Sequence, residues 1–89
     1  MNECEVTIVN RLGLHARAAA KFVHLASAFR SRVTVSRDGT RVDGKSILGL
    51  LTLAASRGTK LHLALSGDDE VEAAARLAEL VRSRFGEDD

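Results

Sequence analysis

The apolar residues of this chain change their spacing repeatedly along the sequence, and this change constrains the fold more than any other feature. A spacing of two residues is typical of strands, and a spacing of three to four is typical of helices. Four segments have the first spacing and two have the second, while one short segment is apolar almost throughout. The predicted strands are residues 4–9, 32–36, 40–43 and 60–65, and the predicted helices are residues 16–29, 47–51 and 71–85.

Local signals agree with these boundaries. The Asp38-Gly39 pair favours the positive φ angles of a tight hairpin turn between the second and third strands. Ser46 is placed to cap the short second helix, because its hydroxyl can accept a hydrogen bond from a free N–H of the first turn. Asp69 and Glu72 have capping-box spacing before the third helix.

The resulting order, β-α-β-β-α-β-α, predicts an α+β fold. We expect a two-layer open-faced sandwich, in which a four-stranded, mostly antiparallel sheet is covered on one face by three helices. With 89 residues and no linker-like segment, residues 1–89 are expected to form one domain. A domain of this size buries roughly 60–65% of its unfolded surface, so any chemistry should lie at the surface.

Composition and charge exclude several classes of function. Thirteen basic and twelve acidic residues give a net charge of +1, without the broad basic surface of a nucleic-acid or anionic-membrane binder. The single Cys4 cannot form an internal disulfide, which fits a reducing compartment. No signal peptide or bilayer-spanning apolar run is evident, so we expect a cytoplasmic protein without membrane insertion.

The segment Gly13-Leu14-His15-Ala16-Arg17 is the strongest candidate for chemistry. It places an imidazole and a guanidinium at the start of the first helix, where free N–H groups and the helix dipole favour an anion such as a phosphoryl group. A neutral imidazole keeps one nitrogen lone pair for attack on phosphorus, and Arg17 would add a charge-assisted fork. The competing interpretation is that His15 only caps the helix and Arg17 is a solvated charge.

A second candidate is the segment from Lys45 to Leu51. Ser46 is either a plain helix cap on a buried helix or a regulated hydroxyl beside an exposed docking surface. We expect His24 and His62 to be ordinary surface histidines, and neither has metal-ligand spacing to the other.

These two segments together resemble the HPr family of phosphocarrier proteins. Gly13–Arg17 is similar to its phosphohistidine signature, and Lys45-Ser46-Ile47 is similar to its regulatory-serine segment. The resemblance covers nearly the whole chain, since the strands, turns and helices follow the family's order. The pattern alone leaves a ferredoxin-like connection of the strands open beside the HPr-like one.

The resemblance implies a function in the phosphoenolpyruvate-dependent phosphotransferase system. Phosphorylated enzyme I would donate a phosphoryl group to Nδ1 of His15, Arg17 would steady it, and His15 would pass it to a downstream acceptor domain. Ser46 would be a target of HPr kinase/phosphorylase. The chain would be a stoichiometric carrier rather than an enzyme, monomeric, with neither cofactor nor metal, and its partners would dock on Ile47, Leu48 and Leu51.

One position departs from the family pattern. The family usually has proline directly after the arginine, whereas this chain has Ala18, which starts a helix well but leaves the entry to the site less rigid. The branch is also open, because residues 10–15 resemble nitrogen-related paralogues and residues 45–49 resemble kinase-regulated members.

Two other functions compete with the carrier. One is a regulatory HPr-like binding partner that never accepts a phosphoryl group. The other is a small nucleic-acid-binding module, but the three aromatic residues lie at core-like positions and leave no ring to stack on a base. The basic residues that such a module would use are Arg30, Arg32, Arg37 and Arg41.

Overall fold

The computed structural model describes residues 1–89 and has the predicted order β-α-β-β-α-β-α. The elements are β1 (Asn2–Thr7), α1 (Ala16–Ala26), β2 (Arg32–Arg37), β3 (Thr40–Asp43), α2 (Ile47–Thr52), β4 (Lys60–Ser66) and α3 (Glu70–Arg82). A short 3-10 turn, Arg84–Gly86, follows α3.

The four strands form one sheet in the order β1-β4-β2-β3, and every neighbouring pair is antiparallel. The central strand β4 pairs Leu61 with Val6 of β1, and Leu63 with Val35 of β2. These four residues are buried, whereas His62 between the two leucines is exposed. The sheet therefore has one apolar face and one polar face, as the alternating spacing predicts.

The three helices supply the second layer and confirm the open-faced sandwich. The buried residues of α1 are three alanines and Phe22, and the small alanine side chains let this helix pack closely against the core. None of the helices combines the length and the apolar character needed to cross a lipid bilayer. The fully buried large side chains are Phe22, Phe85, Ile8, Leu50, Leu61, Leu63, Leu65, Leu77, Val33, Val35 and Val81.

Two helix boundaries differ from the prediction. Helix α1 ends at Ala26, and the apolar Phe29 is buried from the turn that follows it. The predicted capping box at α3 is wrong, because the Asp69 side chain makes no cap hydrogen bond within its own helix. Its carboxylate instead accepts the backbone N–H groups of Arg30 and Ser31, at 2.9 and 3.0 Å, and the Ser31 hydroxyl. Asp69 thus joins the start of α3 to the turn before β2.

The predicted apolar stripe of α3 is also partly wrong. Val71 is 69% exposed, and the buried face instead includes Leu77 and Ala73. Phe85 is buried as predicted, but it lies beyond the helix in a left-handed conformation with φ of 56°. The helix ends earlier than its apolar spacing suggests, and the chain turns back across the fold toward α1.

Candidate functional site

The loop between β1 and α1 is fixed from within and from its neighbour. The buried Asn10 donates from Nδ2 to the carbonyl oxygen of Gly13 at 2.8 Å, and Leu14 donates its N–H to the carbonyl oxygen of Ala55 at 2.8 Å. Gly13 has φ of +71°, and a Cβ there would lie 2.7 Å from the Ala55 oxygen. Glycine is therefore required at this position, and the loop presents the next residues in one conformation.

His15 is the N-cap of α1. Its backbone is extended, its carbonyl oxygen accepts the N–H of Ala19 at 2.8 Å, and its Nδ1 accepts the N–H of Arg17 at 3.3 Å. The capping interpretation is thus right about the local geometry. Capping does not prevent a reaction at the ring, because 28% of the side chain is accessible to solvent. Nδ1 also lies at the first turn of the helix, where backbone N–H groups lack helical partners.

Arg17 stands beside this ring on the first turn of α1. Its side chain is exposed and belongs to none of the five ion pairs of the chain. It lines an open cleft of about 440 Å³ whose only apolar wall is Leu12. The residues around the cleft are Arg11, Leu12, His15, Arg17, Glu87, Asp88 and Asp89.

The acidic residues of this cleft come from the segment after α3, and no sequence pattern predicted them here. Glu87 contacts His15 through Oε2 and Nε2 at 2.5 Å and accepts a hydrogen bond from Asn10 Nδ2 at 2.9 Å. Asp89 pairs with Arg11, with 3.5 Å between Oδ2 and Nε. Since Glu87 and His15 are 72 positions apart, only the folded chain reveals their contact.

The environment of Glu87 favours its charged form. The hydrogen bond from Asn10 is the largest cause that holds the pKa of the Glu87 carboxyl below its ordinary value of 4.5. Burial opposes this shift, and the contact with His15 adds to it. A carboxylate therefore lies at Nε2 of the ring, on the side opposite the Arg17 contact at Nδ1.

Ser46 is the N-cap of α2, as predicted. Its Oγ accepts the N–H of Gly49 at 3.0 Å. The helix behind it is only partly buried: Leu50 is in the core, whereas Leu48 is 77% and Ile47 is 40% exposed. Leu51 is half-buried against the core and contributes less accessible surface than the sequence suggests.

The remaining candidates lie apart from the cleft. His24 is exposed on α1, and His62 contacts Glu3 on the polar face of the sheet at 2.7 Å. Arg37 binds the carbonyl oxygens of Leu53 and Ala54 at 2.7 and 2.9 Å. Phe22, Phe29 and Phe85 are all buried, so no aromatic ring is exposed for stacking, as the sequence predicts.

Ala18 follows Arg17 in the first turn of α1 and is fully buried. Its N–H makes no backbone hydrogen bond, because the carbonyl groups that could accept it lie beyond the start of the helix. Alanine in place of proline therefore leaves one free N–H at the helix entrance, and α1 begins at Ala16.

The sequence matches the profile of a family described as PTS HPr component phosphorylation site over residues 2–83. The phosphocarrier protein HPr of Pseudomonas aeruginosa is 51% identical over 88 residues, which are 98% of each chain. The HPr of Neisseria meningitidis serogroup A is 50% identical over 92% of each chain.

Solved structures agree with these matches. HPr-C-His from Thermoanaerobacter tengcongensis superposes with a TM-score of 0.96 at 45% identity and covers all of both chains. Crh, the Bacillus subtilis catabolite repression protein, superposes with a TM-score of 0.76 at 43% identity, over 94% of this chain and 97% of its own. The agreement over the whole chain decides for the HPr-like rather than the ferredoxin-like connection of the strands.

Proposed function

We propose a carrier function for this chain, which belongs to the HPr family of phosphocarrier proteins. It accepts a phosphoryl group from phosphorylated enzyme I on Nδ1 of His15 and passes it to a downstream acceptor domain. Residues 1–89 act as one HPr-like domain, a cytoplasmic and stoichiometric carrier between enzymes. It binds neither nucleic acid nor membrane in this function.

The observation that carries the proposal is the position of His15 at the entrance of α1. Its ring lies at an open cleft, beside free N–H groups and beside an arginine that has no carboxylate partner. Both kinds of donor suit the oxygens of a phosphoryl group. A shallow site also suits a carrier, because the donor and the acceptor proteins must each reach the same atom.

The chemistry is a direct exchange between two proteins. The Nδ1 lone pair of His15 forms a bond to phosphorus while the bond from phosphorus to the donor breaks and leaves its electron pair there. Arg17 and the N–H groups of the first turn stabilise the charge on the three phosphoryl oxygens. Transfer to the acceptor domain is the same exchange in reverse.

The exposed apolar residues of α2 supply the docking surface for both partners. Ile47 and Leu48 are the accessible part of this surface, and Leu51 supports them from its half-buried position. Burial of such side chains against a partner is favourable by roughly 25 cal/mol per Å² of apolar area. Partner proteins thereby gain affinity from contacts that do not hold the phosphoryl group.

Ser46 regulates this docking surface when HPr kinase/phosphorylase modifies it. A phosphoryl group at the N-cap of α2 is favourable for the helix dipole but adds negative charge directly beside Ile47. We expect Ser46→Asp to slow phosphoryl uptake from enzyme I several-fold. Ser46→Asn is the matched control, because asparagine caps a helix equally well without the charge. Equal rates for both variants would exclude regulation by charge at this position.

The first experiment measures the intact mass of the protein after incubation with enzyme I, Mg²⁺ and phosphoenolpyruvate. We expect one acid-labile phosphoryl group that is absent from His15→Ala and present in His24→Ala, which removes an exposed histidine from the same helix. An adduct that survives in His15→Ala would contradict the assignment of the site. No uptake by the native chain would favour the regulatory binding partner instead.

A further inference from the structure

The segment after α3 follows an unusual path that ends at His15. Arg84, Phe85 and Gly86 have φ angles of 60°, 56° and 78°, three left-handed residues in succession. This conformation is unfavourable for residues that carry a Cβ, so other contacts must hold it. Phe85 is fully buried, and its carbonyl oxygen accepts a hydrogen bond from Lys21 Nζ at 2.7 Å. Because Lys21 belongs to α1, the turn is anchored to the helix that His15 caps.

The next side chain after this turn is Glu87, and both of its carboxylate oxygens are engaged. Oε1 accepts from Asn10 Nδ2 at 2.9 Å, and Oε2 contacts His15 Nε2 at 2.5 Å. Asn10 is itself fully buried and donates also to Gly13. The carboxylate is thus fixed in place by the same loop that presents the histidine, and only 18% of the Glu87 side chain is exposed.

The contacts of the two ring nitrogens define which one carries the proton. Nδ1 accepts the N–H of Arg17 and therefore carries a lone pair, so the proton of the neutral ring is on Nε2. That proton points to the Glu87 carboxylate. The geometry thus leaves the attacking lone pair on Nδ1, where only the 3.3 Å contact with the Arg17 N–H has to open, and holds the proton on Nε2.

We propose that Glu87 is a positioning residue for phosphoryl transfer, holding the Nε2 proton of His15 so that Nδ1 faces the cleft as the nucleophile. The inference rests on the proposed function. As the bond from Nδ1 to phosphorus forms, positive charge develops on the ring, and the carboxylate at Nε2 stabilises it. The Nε2 proton stays on the ring throughout, and the electron pair of the broken bond stays with the donor.

The alternative role for this segment is obstruction. Asp88 and Asp89 line the same cleft, and their negative charge would repel an incoming phosphoryl group. The two roles predict opposite effects on the rate. Removal of the Glu87 carboxylate slows transfer if Glu87 positions the ring, and speeds transfer if the acidic segment blocks the cleft.

The experiment compares initial rates of phosphoryl uptake from enzyme I for the native chain, Glu87→Ala, Glu87→Gln and Glu79→Gln. We expect Glu87→Ala to be about tenfold slower, and Glu87→Gln to fall between it and the native chain. The amide oxygen can accept the Nε2 proton without the charge, but the amide NH2 then faces the donor Nδ2 of Asn10. Glu79→Gln removes the same kind of charge from an exposed position on α3 that does not line the cleft, and we expect its rate to stay within about twofold of native.

Imidazole NMR of histidine-labelled protein gives a readout that does not depend on transfer. At a pH where the ring is neutral, the native chain and Glu79→Gln should show a hydrogen-bonded Nε2 proton, and Glu87→Ala should lose that signal. A native rate or a faster rate in Glu87→Ala, or an unchanged proton signal, would overturn the inference while leaving the carrier function intact. If the native chain takes up no phosphoryl group, the proposed function fails and the inference fails with it.

Discussion

Arg17 is the residue whose proposed role is simplest to isolate, because its side chain has no structural partner to lose. It is exposed and forms none of the ion pairs of the chain. We expect Arg17→Ala to slow phosphoryl uptake by one to two orders of magnitude, roughly the effect of one lost charge-assisted donor pair. Arg17→Lys should recover only part of the rate, since an ammonium cannot form the planar fork.

The control for this comparison is Arg57→Ala, which removes an exposed arginine that does not line the cleft. Thermal unfolding of the three variants should be unchanged from native within a few degrees, about the effect of an exposed substitution. A native uptake rate in Arg17→Ala would show that the arginine is only a solvated charge.

Gly13 is the second residue on which the site depends, and its role is steric. A Cβ at this position meets the Ala55 oxygen at 2.7 Å and the Ser56 Cα at 3.0 Å, with φ of +71°. We expect Gly13→Ala to lower the free energy of unfolding by about 2–4 kcal/mol, from the left-handed conformation and the clash together. Denaturant unfolding measures this change.

Gly39→Ala is the matched control, because Gly39 also has positive φ, +84°, but a Cβ there meets nothing within 4 Å. Its cost should be about 1 kcal/mol, that of the conformation alone. Equal costs at the two glycines would mean that the loop moves away from Ala55 without penalty, and the rigid presentation of His15 would then be wrong.

At the scale of single residues, sequence predicts the site only where the signal is local. His15 and Arg17 are two positions apart at a helix start, and Ser46 stands directly before its helix, so a short window contains each feature. Asn10 and Glu87 meet the histidine only through the tertiary fold. A glutamate followed by two aspartates is indistinguishable in sequence from any solvated acidic segment.

Among the elements, the contact between α3 and the turn before β2 offers a prediction that depends on pH. Hydrogen bonds hold the pKa of the Asp69 carboxyl below its ordinary value of 3.8. The bond from the Ser31 hydroxyl has the largest effect, and the bond from the Arg30 N–H has the next largest. Because this pKa is lowered by folding, ionised Asp69 stabilises the fold at pH values above the ordinary pKa. This stabilisation is lost as the pH falls through the lower pKa of the folded state.

We expect Asp69→Ala to lower the Tm at pH 7 by roughly 5–10 °C, because Ser31 is fully buried and loses the acceptor for both of its donors. The difference from the native Tm should shrink as the pH falls below 3.8. Asp68→Ala, an exposed neighbour without such contacts, is the control. A difference that persists unchanged into acid would exclude the charge of Asp69 as its cause.

The elements themselves were predictable to different degrees, for physical reasons. The strands have clean alternation, and the Asp38-Gly39 turn has two positive φ angles, as expected of a tight hairpin. Helix ends were less predictable. Apolar spacing continues past Arg82 to Phe85, but a residue can be buried from a turn as well as from a helix, and periodicity does not distinguish the two.

For the whole molecule, we expect a monomer of 9.6 kDa in solution. Strand β1 is paired along its length with β4 of the same chain, from Asn2 opposite Leu65 to Thr7 opposite Lys60. The exposed large apolar side chains are spread over four segments, whereas a stable dimer needs a contiguous apolar interface. These side chains are Met1, Leu12, Ile47, Leu48 and Val71.

Light scattering during size-exclusion chromatography measures this mass directly. The comparison is informative because solved relatives include an HPr dimer from Thermoanaerobacter tengcongensis and a domain-swapped dimer of Crh. A mass of about twice the monomer at micromolar concentration would contradict the expectation.

The contact between His15 and Glu87 also sets the order in which the site can be assembled. The two residues are 72 positions apart, so the ribosome releases the histidine early and its carboxylate partner only after all of α3. A nascent chain can already contain the residues of all four strands while the ring still lacks its partner. Closing so long a loop is also entropically costly, so the contact depends on the rest of the fold being in place. The His15 ring is therefore oriented by Glu87 only in the folded molecule. A partly synthesised or partly unfolded chain contains the histidine without this contact.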